Sequence, residues 1–422
     1  MVSRALALFG ARPQGHPSAM NHLGPHAVAA EHVFDGVSLH ARAAVMIEGS
    51  NIVAVVPQAE LPAGSRVCAL PKSAWLAPGF IDLQVNGGGD LLFNDNPTVP
   101  TIAAIAAAHR RFGTTAFLPT LISDSPAKMR AALDAVQAAI DNEPGVLGIH
   151  FEGPFLSPGK AGIHDVRAIR PPTPADTEIL ALPRKGEMLM TLAPEEAPRG
   201  FLAELTRTGI CLSLGHSMAT YAQTRQAMAE GVTGFTHLFN AMRPLESREP
   251  GPIAAALESP DAWYGLIVDG VHVDPAMLRL ALRGAGHPML VTDAMPPVGG
   301  RQSTFLLYGR QITSHGGRCT DANGTLAGSV LTMAEAVCNC VKLTGTPLPG
   351  ALRFASTNPA RFIGLGHALG RLAPGYRADM VAFEPGSIEI LATWVAGAGV
   401  RDETAAIGIA TSENPGSGWN LS

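Results

Sequence analysis

Residues 146–153 read VLGIHFEG. An apolar run this short, broken by Gly, has the composition of a buried strand, yet it ends on an acid, Glu152. A charge at such a place is costly unless a metal or a partner compensates it. The same form, an apolar run closed by polar residues, recurs along the chain. It appears as GFIDLQVN (79–86), TTAFLPT (114–120), MLMTLAPE (188–195) and ICLSLGHS (210–217), then as GFTHLFNAM (234–242), YGLIVDGVHV (264–273) and PMLVTDAM (288–295). Most gaps carry an Ala-rich helical pattern, clearest in TIAAIAAAHRRFG and SMATYAQTRQAMAEG, each closed by Gly. Strand-like runs alternating with helices in this way predict an α/β fold, a parallel (β/α)8 TIM-like barrel; a doubly wound sheet is the alternative.

The barrel is expected over residues 78–372. On either side lie short β-like runs, AVMIEG and IVAVV before it and GRLAPGYRADMVAF (370–383) at its end. Segments 26–77 and 373–422 are therefore expected to form one small β-sandwich domain built from both chain ends. Residues 1–25 lack periodicity and are expected to be disordered, with Met20 a second candidate start. With 422 residues, 15% charged, 46 Gly and 34 Pro, the chain fits a compact enzyme and not a coiled coil or disordered scaffold. A net charge of −5 without a basic run argues against a nucleic-acid partner. Five cysteines without a CxxC pair argue against a disulfide framework. No apolar run reaches membrane-spanning length, and the opening MVSRALALFGA is too quickly broken for a signal peptide. The expectation is a soluble cytoplasmic protein with no membrane partner.

Barrel enzymes carry their working residues at the C-terminal ends of the strands. Here those ends read Gln84-Val-Asn86, Glu152, His216, His237, His272 and Asp293. A single histidine among them is more often structural than functional, but their recurrence at equivalent positions weakens that reading. Glu152, His216 and His237 offer one carboxylate and two imidazoles, the shell of a catalytic zinc with one position left for water. No thiolate is present, so other divalent metals remain open. Asp293 is placed to take a proton from that water; its plainer role would be to cap a helix or fix a loop. His150 shares the strand face of Glu152 one layer down and is expected to be structural.

PGFIDLQVNGGG, HFEGPF with KAGIH, LGHS, THLFNAM with REPG, DGVHV, TDAM and LAGS, in that order, resemble the N-acetylglucosamine-6-phosphate deacetylases of the amidohydrolase superfamily. The resemblance runs from about residue 26 to 385. It implies hydrolysis of the acetamide of an N-acetylhexosamine 6-phosphate. It also implies Glu152, His216 and His237 as metal ligands, Asp293 as general base and acid, and His164 as a group polarising the amide carbonyl. Substrate contacts are implied at Gln84, Asn86, Gly162, Ile163, Asn240, Ala241, Arg248, His272, Leu326, Ala327 and Gly328. Arg248 would grip the phosphate, unless it merely pairs with Glu246 or Glu249. Many amidohydrolases carry His-x-His on the first strand; Gln84 and Asn86 stand there instead, and the fourth run MLMTLAPE ends without a lysine that could bridge two metals. One divalent ion, zinc, is therefore expected, with a homodimer implied by the resemblance. The gluco substrate is the first expectation. The galacto epimer, a cyclic amidase or a deaminase of the superfamily, and a non-enzymatic sugar-phosphate regulator are the alternatives.

Overall fold

The computed structural model describes residues 25–401 and 409–411. Residues 1–24 of the segment expected to be disordered lie outside the described residues, as do 402–408 and 412–422 of the C-terminal part of the small domain. Eight parallel strands form the central sheet: Phe80–Val85, Thr114–Ile122, Gly148–Glu152, Glu187–Leu192, Cys211–Leu214, Val232–Phe235, Trp263–Leu266 and His287–Leu290. Each pairs with the next in chain order. The last meets the first through a bridge between Ala294 and Val85, and Asn86 and Gly87 donate their N–H groups to the Ala294 carbonyl at 3.0 and 2.9 Å. The barrel closes there, just beyond the eighth strand.

The strands are buried on both faces, which is why they read as nearly continuous apolar runs. One face packs outward on the helices through side chains such as Phe117, Phe151, Met190 and Leu214. Inside, the lower part of the barrel is apolar, with Ile81, Leu83, Leu118 and Leu189 in one cluster with Ile363 and Leu369. Above that layer the interior turns polar. Thr120, His150, Thr191, Thr236 and Ser213 form a buried hydrogen-bonded chain, in which His150 Nε2 lies 2.8 Å from Thr191 Oγ1. His150 is satisfied within that chain, as a structural histidine should be.

The seam between first and eighth strands is held by a side chain. Asp82 Oδ2 accepts from Thr292 Oγ1 at 2.5 Å, and its Oδ1 accepts from the N–H groups of Thr292 and Gln84. Burial pushes the Asp82 carboxyl up to about 7, while these donors oppose the shift.

Besides a two-stranded ribbon, Gly87–Gly88 with Leu91–Leu92, two larger sheets flank the barrel among the described residues. Strands from both chain ends form a single hydrogen-bonded sheet, in which Trp75–Pro78 links the N-terminal strand His26–Phe34 to Met380–Glu384 near the other end. Between the eighth barrel strand and the helix Met333–Thr344 lies a four-stranded antiparallel sheet, Thr304–Leu307, Arg310–His315, Arg318–Thr320 and Leu326–Ser329. The LAGS motif is the last of these strands. Among the described residues no helix is long and apolar enough to cross a membrane.

Removing the Asp82 carboxylate would leave the buried donors of Thr292 and Gln84 without their acceptor at the seam. Asp82→Ala is expected to cost about 2 kcal/mol or more of stability, read from denaturant unfolding. A loss below about 0.5 kcal/mol would show that the seam does not depend on it.

Candidate metal centre and active site

The upper mouth of the barrel brings Glu152, His216 and His237 together. Glu152 Oε1 lies 3.1 Å from His216 Nε2 and 3.0 Å from His237 Nε2, and the two Nε2 atoms are 3.1 Å apart. All three side chains are buried. His216 Nδ1 sits 2.8 Å from the Lys160 carbonyl, which can only accept. Its proton is therefore on Nδ1, and an unprotonated Nε2 faces Glu152 and His237. A ring lone pair and a carboxylate at this distance call for a cation between them. A tetrahedral zinc shell, with bonds of 2.0–2.2 Å, would space its ligand atoms by roughly 3.3 Å, close to what is seen. Burial alone would raise the Glu152 carboxyl, but the two imidazoles outweigh it and hold it well below the usual range.

The local backbone turns these residues inward. His216, His237 and Asp293 all have positive φ, 48°, 30° and 52°. Non-glycine residues adopt this left-handed conformation rarely, and clusters of it mark functional sites. Behind His216, Glu195 at the end of the fourth run accepts from Ser217 Oγ at 2.7 Å and from the Met218 N–H. That carboxylate fixes the loop carrying the ligand.

Asp293 lies beside the cluster. Its Oδ1 accepts from Asn86 Nδ2 at 2.6 Å and from Gln84 Nε2 at 3.3 Å, and Gln84 Nε2 also donates to Glu152 Oε2 at 3.1 Å. The first-strand amides thus turn their NH2 groups toward carboxylates, and neither offers the imidazole lone pair that a His-x-His strand would give a second ion. Burial, then the Glu152 charge, raises the Asp293 carboxyl to about 6. A cavity of about 500 Å³ opens over the cluster, walled by both histidine ligands, Glu152, Asp293, His164 and His272 among others.

A match to the model described as "Amidohydrolase family" covers residues 75–406. The chain belongs to the amidohydrolase family. This amidohydrolase is 44% identical over 328 residues to an N-acetylgalactosamine-6-phosphate deacetylase of Shewanella sp. (strain ANA-3), covering 77% of this chain and 83% of the relative. It is 37% identical over 361 residues to an N-acetylglucosamine-6-phosphate deacetylase of Haemophilus influenzae, covering 84% and 93%. In three dimensions it matches the crystal structure of N-acetylglucosamine-6-phosphate deacetylase from Pasteurella multocida, with a TM-score of 0.85 and 33% identity. That match covers 90% of this chain and all of the other. Such relatives make this amidohydrolase a hydrolytic enzyme.

The remaining expected residues separate into two groups. Asn86, Gly162, Ile163, His164, Asn240, Ala241, His272, Leu326 and Gly328 line the cavity of the amidohydrolase. His272 does so from a loop and not from a strand end: the seventh strand stops at Leu266, and Asp269 accepts from His272 Nδ1 at 2.6 Å to hold the ring in place. Three residues expected to touch substrate lie elsewhere. Gln84 sits behind the wall between two carboxylates, Ala327 packs its methyl group into the apolar cluster under the four-stranded sheet, and Arg248 is exposed outside the cavity. Among the described residues Arg248 pairs with neither Glu246 nor Glu249. Sequence reading missed Lys160, which among the described residues is the one Lys or Arg in the cavity wall. Its signal was its place in KAGIH, four residues before His164. Ser123, also missed, follows the end of the second strand and contacts His164.

Gln84→Ala removes the donor shared by Glu152 and Asp293 without touching the cavity wall. Chelator competition is expected to show metal affinity weakened by about 10- to 100-fold in a folded protein. Affinity equal to the parent's would mean that the bridge has no hold on the metal centre.

Proposed function

We propose that this amidohydrolase hydrolyses the acetamide of N-acetyl-D-glucosamine 6-phosphate, giving acetate and glucosamine 6-phosphate. One observation carries the reading: a Glu–His–His cluster open to a cavity of about 500 Å³ has the carboxylate of Asp293 in the same wall. Glu152, His216 and His237 would hold one divalent ion, zinc in this proposal. When bound, the ion supplies the positive charge that polarises the amide carbonyl and makes a water molecule acidic. Asp293 takes the proton from the attacking water. A carboxyl near 6 accepts a proton near neutrality and gives it back, here to the nitrogen, which leaves as an amine. His164 donates a hydrogen bond to the carbonyl oxygen as negative charge develops there. His272, the Asn240–Ala241 backbone and the Leu326–Gly328 edge shape the wall against the sugar.

The phosphate needs cationic partners. Lys160 is in the wall, and Arg248 stands outside it, exposed. A homodimer, which we also propose, would let Arg248 reach a phosphate across the interface. A phosphorylated sugar does not cross membranes unaided, which supports a cytoplasmic setting. The galacto epimer is the second reading, favoured by the 44% identity to an N-acetylgalactosamine-6-phosphate deacetylase.

Acetate release should be measured on both N-acetylhexosamine 6-phosphates and on both unphosphorylated sugars. The gluco phosphate is expected to be the best substrate. Arg248→Ala is expected to lower its kcat/KM by about two to three orders of magnitude, with little change on the unphosphorylated sugar. Preference for an unphosphorylated sugar would defeat the sugar-phosphate reading. Equal damage on both kinds of substrate would make Arg248 a structural residue of its loop.

A further inference from the structure

His164 approaches the cavity with one ring nitrogen already committed. Its Nδ1 lies 3.3 Å from the Ser123 backbone nitrogen and 2.8 Å from Ser123 Oγ. A backbone N–H can only donate, so Nδ1 is the acceptor in that contact. The proton of the neutral ring then belongs to Nε2, which has no hydrogen-bond partner among the described residues. A ring in the other tautomer would present a lone pair to an amide carbonyl, where it would repel and not polarise. Ring identity alone is thus insufficient, and something must select the tautomer.

Ser123 is itself held from several sides. The residue before it, Ile122, is fixed by Asn94, whose Oδ1 accepts from the Ile122 N–H and whose Nδ2 donates to the Ile122 carbonyl. The Ser123 carbonyl accepts from Tyr308 Oη at 2.6 Å. Tyr308 stands with Gly309 at the tip of the first hairpin of the four-stranded sheet, both at positive φ, 51° and 75°, as a tight two-residue turn requires. The Ser123 hydroxyl also lies close to Gly153, next to the ligand Glu152. A Cβ on Gly153 would come within 2.4 Å of Ser123 Oγ. The glycine of HFEGPF leaves the space in which Ser123 meets His164.

We propose that Ser123 is a positioning residue that holds His164 with its proton on Nε2, and that Tyr308 carries the placement of the four-stranded sheet onto Ser123. The inference rests on the reading of His164 as the group that polarises the amide. It gives the sheet inserted after the eighth strand a second task besides walling the cavity: it fixes the end of the second strand so that the His164 donor stays aimed.

The test uses the metal-loaded enzyme labelled with 15N-histidine, with His164→Asn to assign the signals. Long-range 1H–15N correlations are expected to show His164 protonated on Nε2 and bare on Nδ1. Ser123→Ala should lower kcat by about tenfold with KM within about twofold, and Tyr308→Phe should shift kcat in the same sense by a smaller factor. A merely structural loss would reduce the amount of active enzyme and its metal content together. A proton on Nδ1 in the parent would overturn the proposal whether or not the variants fold, and so would a Ser123→Ala enzyme with unchanged kcat. The underlying reading fails separately, if His164→Asn keeps the parent's kcat.

Discussion

One buried carboxylate organises the upper half of this barrel. Glu152 sits within 3.1 Å of two imidazole nitrogens at the end of a strand, with water largely excluded. In such a place its charge must be matched, and the protein supplies two polarised rings and room for a cation. That requirement reaches into the backbone. The two ligand histidines and Asp293 all leave their strands through a left-handed residue, which bends each side chain over the barrel axis. The supports then follow in order: Lys160 carbonyl for His216, Glu195 for the loop behind it, and Gln84 for the free oxygen of Glu152.

The first strand shows how fold and chemistry share residues. Asp82, Gln84 and Asn86 fall at period two and so face one way. The lowest clasps Thr292 and closes the barrel, the middle one bridges Glu152 and Asp293, and the upper one holds Asp293 from the side. Asp293 adjoins Thr292, so the clasp that shuts the seam also sets the height of the acid. A substitution at Asp82 therefore tests closure before chemistry, whereas one at the Gln84 side chain reaches the two carboxylates it bridges.

Much of this was legible in the sequence, because buried parallel strands announce themselves as short apolar runs and their polar endings stand out against them. All eight runs are strands of the central barrel, and the ligand triad meets as three polar endings should. What was hidden has physical reasons. The four-stranded sheet after the eighth strand alternates polar and apolar residues over very short strands, such as LLYGRQIT, and reads like loop. His272 looked like a strand ending because apolar residues continue past Leu266, where pairing has stopped. Gln84 was legible as an amide where a ligand might stand, but not as a bridge, since its partners are 68 and 209 residues away. Arg248 carries charge in the right loop, yet no pattern tells whether a loop folds over its own cavity or away from it. Ser123 gave no signal at all, being one hydroxyl at the end of one strand among eight.

Glu152, His216 and His237 converge from three strand ends as a group that could hold one ion, with amides and not imidazoles on the first strand beside them. Diffraction from crystals of the metal-loaded enzyme, collected at the absorption edge of the bound metal, locates that ion. One anomalous peak per chain is expected, within about 2.0–2.3 Å of a Glu152 oxygen and of Nε2 of His216 and His237. A second peak of similar strength beside Gln84 and Asn86, or a single peak away from Glu152, would contradict it.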